Sequence, residues 1–124
     1  MDPHERLEGL HDDAKRLLGD GERLQHLIPA WFHRPRERGA QRPLALILTN
    51  KRILLCSVRA RLFGSLSLGH VMREFPRSTL IGYSHEKWME TKSFGHHLFI
   101  SERFRDDVLR ADTWNRRSPA ERNS

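Results

Sequence analysis

The side chains best suited to chemistry in this sequence are arginines at alternate positions of one short segment. Arg34, Arg36 and Arg38 lie within residues 33–43, which also hold two prolines and a glycine, a composition typical of an exposed loop. Alternate positions of an extended chain point the same way, and guanidinium groups bind phosphate or carboxylate through paired hydrogen bonds. The pattern predicts an anion-binding loop, with a solvated loop as the alternative. The candidate anion-binding residues are Arg34, Arg36, Arg38, Arg42, Lys51 and Arg52.

Positive charge is concentrated around this loop. The chain has a formal net charge of +6, yet the segment from Arg34 to Arg61 holds eight basic residues against one acid, Glu37. Eight histidines add charge as the pH falls through about 6.5, so anion binding should strengthen in mild acid. Strands of about seven residues span roughly 23 Å, which predicts separate patches at the two ends of the following hairpin. The loop end is favoured over the end that carries Lys51 and Arg52.

Metal and cofactor sites are not expected. His96 and His97 are adjacent on a predicted strand and point to opposite faces, while His4 and His11 are nearly two helical turns apart. The single cysteine, Cys56, excludes an internal disulfide and a cysteine-based zinc site. It is expected to be a packed thiol.

Enzymatic signatures are also missing. The sequence has no GxSxG elbow, no HExxH pair and no phosphate-binding P-loop. Asp106 and Asp107 are neighbours on a predicted helix, do not face each other, and are expected to be solvated. We therefore expect no catalytic residues.

An amphipathic helix is predicted at residues 1–19. Asp2 can cap it, Pro3 suits its first turn and Gly19 can end it. Its apolar stripe recurs at a spacing of three and four residues and should pack on the rest of the domain. The stripe comprises Leu7, Leu10, Ala14, Leu17 and Leu18.

Short strands follow this helix. A strand is predicted at 22–32, with Leu24, Ile28 and Ala30 on one side and Leu27 on the other, and Pro29 indicates an edge or a bulge. Residues 44–49 and 52–58 form a hairpin turning at Asn50 and Lys51, and the glycine- and serine-containing segment 63–69 is predicted as a loop. Further strands are predicted at 70–75, 79–85, 87–94 and 96–100. Ser101 caps a last helix whose inner face carries Phe104, Val108 and Ala111, and a disordered tail is predicted at 116–124.

The hairpin is apolar on both faces. Leu44, Leu46 and Leu48 alternate with Ala45 and Ile47, so a core on one side leaves a second apolar face to be covered. We expect the first helix and another subunit to contribute to that cover. The predicted interaction surface comprises Leu7, Leu10, Leu17, Leu18, Ala45 and Ile47.

The run from Leu48 to Leu55, with Thr49-Asn50-Lys51-Arg52 at the turn, resembles the second hairpin of bacterial pleckstrin-homology-like (PH-like, GRAM-like) domains. Gly21-Glu22 opens the preceding strand as in that family. The resemblance implies an α+β fold over residues 20–115. Its bent antiparallel sheet, or partly open barrel, has about seven strands and is closed by a C-terminal helix. The helix at 1–19 is additional, and Trp114 is similar to a tryptophan of the closing helix.

Members of that family are not enzymes through this fold, and they bind phosphoinositides or proteins, or form oligomers. The lipid-binding members carry basic residues early in strand two, where this chain has Arg42-Pro43-Leu44. We therefore expect a non-enzymatic binding or scaffolding module that acts through protein contacts or self-assembly.

The alternative is a peripheral binder of anionic surfaces through loop 33–43. A phospholipid membrane is the expected surface, and nucleic acid is disfavoured because the strands lack alternating exposed aromatic and basic residues. No apolar run reaches the roughly 18 residues of a membrane span, and acidic residues near the start argue against a secretory signal. A cytoplasmic protein, either free or at a membrane surface, is expected.

Overall fold

Six strands and two helices make up the part of the chain that the computed structural model describes, which is residues 3–33, 43–60 and 66–116. The candidate residues Arg34, Arg36, Arg38 and Arg42 and the predicted tail beyond 116 lie outside it. The elements in chain order are α1 (Pro3–Lys15), β1 (Leu24–Ala30), β2 (Leu44–Thr49), β3 (Arg52–Ala60), β4 (Leu66–Pro76), β5 (Trp88–Thr91), β6 (Leu98–Ser101) and α2 (Arg105–Arg116).

The strands form two antiparallel sheets. The larger has the order β1-β2-β3-β4, and the smaller pairs β5 with β6. One bridge joins them, because Trp31 N donates to Phe99 O at 3.0 Å and Phe99 N donates to Trp31 O at 2.8 Å. The α+β class is confirmed. Over the described residues the strands number six rather than seven, and they do not close into a barrel.

The β2–β3 hairpin has the two apolar faces that its sequence predicts. All six residues of β2 are buried. Leu44, Leu46 and Leu48 pack in one core with residues of β1, β5, β6 and α2, while Ala45 and Ile47 belong to a second cluster. Successive side chains of a strand point to opposite faces, so the apolar residues of β2 belong to both clusters.

Helix α1 covers the second face. Leu10 is 2% exposed and Ala14 is fully buried against Ala45, Ile47 and residues of β3. Asp13 adds a polar contact, because its Oδ2 accepts from Leu68 N of β4 at 3.0 Å. Leu10, Ala45 and Ile47, predicted as part of an interaction surface, are therefore buried inside this chain.

The helix ends earlier than Gly19. It stops at Lys15, after which Leu17 N donates to Ala14 O at 3.0 Å in a tighter turn. Leu17 lies beyond the helix and is 38% exposed, and Leu18 is half-buried. The predicted stripe therefore does not continue as a helical face past residue 15. The side chain of Leu7 is outside the described part of the structure.

The prediction that Leu24 shares a face with Ile28 is wrong, because β1 contains a bulge. The register shifts between Leu24 and His26, so Leu24 joins the cluster of Leu27 instead of the core that contains Ile28. An extra residue in a strand reverses the side-chain alternation on one side of it. Pro29 lies in an edge strand of the larger sheet, where a missing N–H costs least.

Strand β4 begins at Leu66, so the prediction of a loop at 63–69 is wrong from Leu66 onward, and residues 63–65 lie outside the described part. The register between β3 and β4 shifts twice, between Leu55 and Cys56 and between Cys56 and Val58. Bulges of this kind leave irregular spacing, which sequence alternation cannot reveal.

Residues 79–86, which we call the strap, do not form the predicted strand at 79–85. The strap runs along α2, whose Asp112 accepts from Ile81 N at 2.9 Å and from Gly82 N at 2.8 Å. Arg105 Nε donates to Ser84 O at 3.0 Å. Side chains of α2 therefore satisfy backbone groups that a neighbouring strand would otherwise pair. Gly82 has a φ of 100°, a backbone conformation that glycine adopts without strain.

The final helix packs as predicted. Ser101 accepts from Arg103 N in a single 3-10 turn that leads into α2, and Val108 and Ala111 are fully buried. Phe104 packs against the same core. Asp107, expected to be solvated, instead lies 3.2 Å from His26 Nδ1 of β1.

Arg77 ties α2 to the larger sheet. This nearly buried side chain donates to Thr49 O at 2.7 Å, to Gln25 Oε1 at 2.8 Å and to Asn115 Oδ1 at 3.0 Å. Its guanidinium also stacks 4.4 Å from the ring centroid of Trp114. The buried guanidinium of Arg77 therefore donates hydrogen bonds within the fold, and its charge interacts with the indole ring. Among the described helices, none has both the length and the apolar character needed to cross a bilayer.

Candidate anion-binding cleft

The cations at the hairpin turn are engaged within the protein. Arg52 Nε donates to Glu22 Oε2 and Arg52 Nη1 donates to Glu74 Oε1, each at 2.9 Å. Lys51 Nζ donates to Asp20 O at 3.1 Å. Lys51 and Arg52, both predicted to bind an anion, therefore already have internal partners in this conformation.

Glu22 is the acidic centre of that turn, with a side chain only 3% exposed. The hydrogen bond from Arg52 is the main cause that lowers the pKa of Glu22 from its ordinary value of 4.5 to about 2, against the opposing effect of burial. The same hydrogen bond is the main cause that raises the pKa of Arg52. The pair is charged throughout the physiological range.

The motif that carried the family resemblance holds this turn together. Thr49 Oγ1 donates to Glu22 Oε2 at 2.7 Å and accepts from Lys51 N and Arg52 N at 3.1 and 3.0 Å. Asn50 Oδ1 accepts from Arg23 N at 2.7 Å, which joins the turn to the start of β1. The residues of this motif act in folding, and the candidate site has to be sought elsewhere.

A cleft of about 590 Å³ opens at the opposite end of the larger sheet. Strands β2, β3 and β4 and the segment that follows β1 contribute to it. The described lining residues are Phe32, His33, Pro43, Leu44, Ser57, Val58, Arg59, His70 and Met72. His33, Arg59 and His70 are exposed, and no acid is present among the described lining residues.

Strand register explains how these residues meet. Leu44 at the start of β2 pairs with Ser57 of β3, and Arg59 follows two positions later on the same side. The bulge of β4 brings His70 opposite Ser57, whose Oγ accepts from His70 N at 2.9 Å and lies 3.2 Å from His70 Nδ1. Gly69 leaves room for that hydroxyl, because a Cβ at this position would collide with it.

The predicted basic loop is attached to this cleft at both ends. His33 and Pro43, which border residues 34–42, both line it. No residue of that segment is more than five positions from one of these anchors. In the sequence, Arg34, Arg36, Arg38 and Arg42 are therefore each within five positions of a residue that lines the cleft.

Sequence reasoning missed His33, His70, Ser57, Phe32 and Met72 as possible site residues. They come from the segment after β1 and from β3 and β4, and only the β3–β4 register brings His70 opposite Ser57. The available signal was the shared end of the sheet, since the segments after β1 and after β3 leave an antiparallel sheet on the same side.

His96, His97 and Cys56 have local partners or are enclosed. His97 Nδ1 lies 2.7 Å from Glu90 Oε1, and His96 packs edge-on against Phe32 at 5.5 Å. Within the described ranges, no group of three or more histidine, cysteine or acidic side chains could hold a metal ion. Cys56 is buried, and burial raises its pKa to about 11.

Comparison of the chain with protein-family models, curated proteins and solved structures gives no match. The geometry of the cleft and the charge around it are the features of this chain that bear on its function.

Proposed function

We propose that this chain is a non-enzymatic binding module that attaches to anionic phospholipid surfaces through the cleft and the adjoining basic segment. The observation that carries the proposal is the distribution of cations. Those at the hairpin turn have internal partners, whereas Arg59 is exposed beside the exposed imidazoles of His33 and His70, around a cleft with no described acid. Four further arginines are joined to that cleft by chain of limited length.

The magnitude of this charge suits membrane attachment. A basic residue near an anionic leaflet contributes about 1 kcal/mol, and the effect falls off within a Debye length. Arg34, Arg36, Arg38, Arg42 and Arg59 together would supply several kcal/mol, reduced by Glu37. That is sufficient for reversible attachment, and it makes binding sensitive to salt.

The proposed domain type is PH-like. A four-stranded antiparallel sheet, a second small sheet and a final helix follow in the order that this resemblance implies. The strap at 79–86 occupies the chain position where the sequence pattern predicts a further strand. A binding module of this type would act through its loops, without turnover.

Vesicle co-sedimentation tests the membrane proposal. The full chain should bind phosphatidylcholine vesicles containing about one third phosphatidylserine, should not bind phosphatidylcholine alone, and should lose binding steeply between about 50 and 200 mM salt. The variant Arg34→Ala/Arg36→Ala/Arg38→Ala should lose most of the binding.

The matched control removes the same charge from α2 and the turn before it, as Arg103→Ala/Arg110→Ala/Arg116→Ala. These three side chains are exposed and lie outside the cleft. The control should retain most of the binding. Equal loss in both variants, or binding to duplex DNA without binding to vesicles, would contradict the proposal.

Protein contact or self-assembly is the second candidate, and exposed apolar side chains outside the cleft support it. Leu80 and Tyr83 of the strap and Leu109 of α2 are exposed large apolar side chains. Both faces of the hairpin are covered within the chain, so the hairpin itself no longer argues for a second subunit. Light scattering at about 100 μM tests self-assembly, and a monomer under those conditions would remove it.

A further inference from the structure

The interior of the cleft is chemically different from its rim. Five of the nine described lining residues are apolar. The nearly buried part of the lining, which we call its base, is Leu44 and Val58, whereas Met72 of β4 is 36% exposed. A surface of this kind gains free energy by excluding water, which a small inorganic anion does not achieve.

Hydrogen-bonding capacity inside the cleft is small. Ser57 supplies the hydroxyl group of the described lining, and its Oγ is already engaged by His70 N. A phosphate bound deep in the cleft would lose water without gaining enough donors, which is unfavourable for an anion. Charged partners are therefore best placed at the rim, beside His33 and Arg59.

We infer that the cleft binds a single anionic lipid, with its charged head at the cationic rim and the first part of its hydrocarbon chain against Leu44 and Met72. This inference rests on the proposed membrane function and adds a chain-binding site to it. Charge complementarity selects an anionic amphiphile over a neutral one, and the apolar base selects an amphiphile over a free headgroup. The volume of about 590 Å³ lies within the ordinary range for small-molecule sites.

The test uses monomeric alkyl phosphates, which separate head from chain. Butyl, hexyl and octyl phosphate are titrated calorimetrically into the full-length protein, with inorganic phosphate and octanol as the head-only and chain-only probes. Affinity should rise about twofold to fourfold for each added methylene group. Inorganic phosphate and octanol should each bind at least about tenfold more weakly than octyl phosphate.

Two pairs of variants locate the binding. Met72→Gln keeps the side-chain length and removes the apolar contact, so it should weaken octyl phosphate about threefold to tenfold, while Leu109→Gln on α2 should leave it unchanged. Arg59→Gln should weaken every phosphate probe, and Arg110→Gln should not. Circular dichroism confirms that each variant is folded.

The outcomes distinguish the inference from the proposed function. Affinity that is independent of chain length, or equal in Met72→Gln and the wild type, overturns the chain-binding site even where vesicle binding persists. Octanol that binds as tightly as octyl phosphate overturns the role of the cationic rim. Loss of vesicle binding together with chain-dependent binding of octyl phosphate overturns the membrane function and leaves the lipid site.

Discussion

The buried ion pair at the hairpin turn makes the stability of this protein depend on pH in a calculable way. Glu22 is 3% exposed, and Arg52 Nε donates to it at 2.9 Å. Its pKa falls from 4.5 to about 2 on folding, which corresponds to about 3 kcal/mol at neutral pH. Because folding lowers the pKa, this contribution is fully present above about pH 4.5 and is lost as the pH falls through 2.

Glu22→Gln removes the charge and keeps the shape. The amide oxygen can still accept from Thr49 Oγ1, and Arg52 still donates to Glu74. The amide NH2 replaces the oxygen that accepts from Gly19 N and Arg52 Nη2, so the variant removes the charge together with one acceptor. Urea unfolding should show the variant about 3 kcal/mol less stable at pH 7. The gap should shrink to about 1 kcal/mol near pH 3, where Glu22 of the wild type is partly protonated in the folded chain and fully protonated in the unfolded chain.

Glu102→Gln is the matched control, because its side chain is 52% exposed and its oxygen lies 3.9 Å from Arg105. The control should cost less than about 1 kcal/mol at either pH. A difference between Glu22→Gln and the wild type that stays constant from pH 7 to pH 3 would refute the assignment of this carboxylate.

Three further predictions concern packing and reactivity. Leu10 is buried in the layer beneath α1, so Leu10→Ala should lower the free energy of unfolding by about 2–4 kcal/mol in urea titrations. The exposed Leu17→Ala should lower it by less than about 1 kcal/mol, and equal losses in the two variants would contradict the docking of α1. Asp112→Ala leaves Ile81 N–H unpaired, so it should lower the free energy of unfolding by about 2 kcal/mol and speed proteolysis of the strap. A cleavage pattern identical to that of the wild type would refute the strap contact. Burial raises the pKa of Cys56 to about 11, so this thiol should resist iodoacetamide at pH 8 in the folded chain and react in urea. Rapid labelling of the folded chain would contradict this prediction, because it would show an accessible thiol.

Periodicity explains which parts of the fold could be predicted. The hairpin at 44–58 alternates strictly, so its two faces follow directly from residue parity. The face of α2 that carries Val108 and Ala111 repeats at helical spacing and was predicted for the same reason. In both cases the residue types at neighbouring positions are sufficient to predict which side chains share a face.

Long-range polar contacts explain the errors. The segment 79–85 has the apolar character of a strand. Asp112, some 30 residues later, accepts hydrogen bonds from the backbone N–H groups of Ile81 and Gly82, so these groups do not pair with a strand. The turn after α1 is likewise held by a distant residue, because Arg52 Nη2 donates to Leu17 O at 3.2 Å, and the bulge at Leu24 shifts the register against β2. These are cases in which tertiary contacts override local preference.

The candidate site was predictable only in part. The charge of the segment from Arg34 to Arg61 is visible in the sequence, and so is its attachment to one end of a sheet. The internal engagement of Arg52 was not, because Glu22 and Glu74 are distant in sequence. The meeting of Ser57 with His70 depends on a bulge that has no sequence signal.

The most direct test of the account is a map of amide chemical-shift changes when the isotopically labelled chain meets bicelles with and without phosphatidylserine. The account predicts changes that depend on the anionic lipid and that cluster at His33, Ser57, Arg59, His70 and Met72. Changes confined to Leu80, Tyr83 and Leu109, or changes of equal size with neutral bicelles, would contradict it.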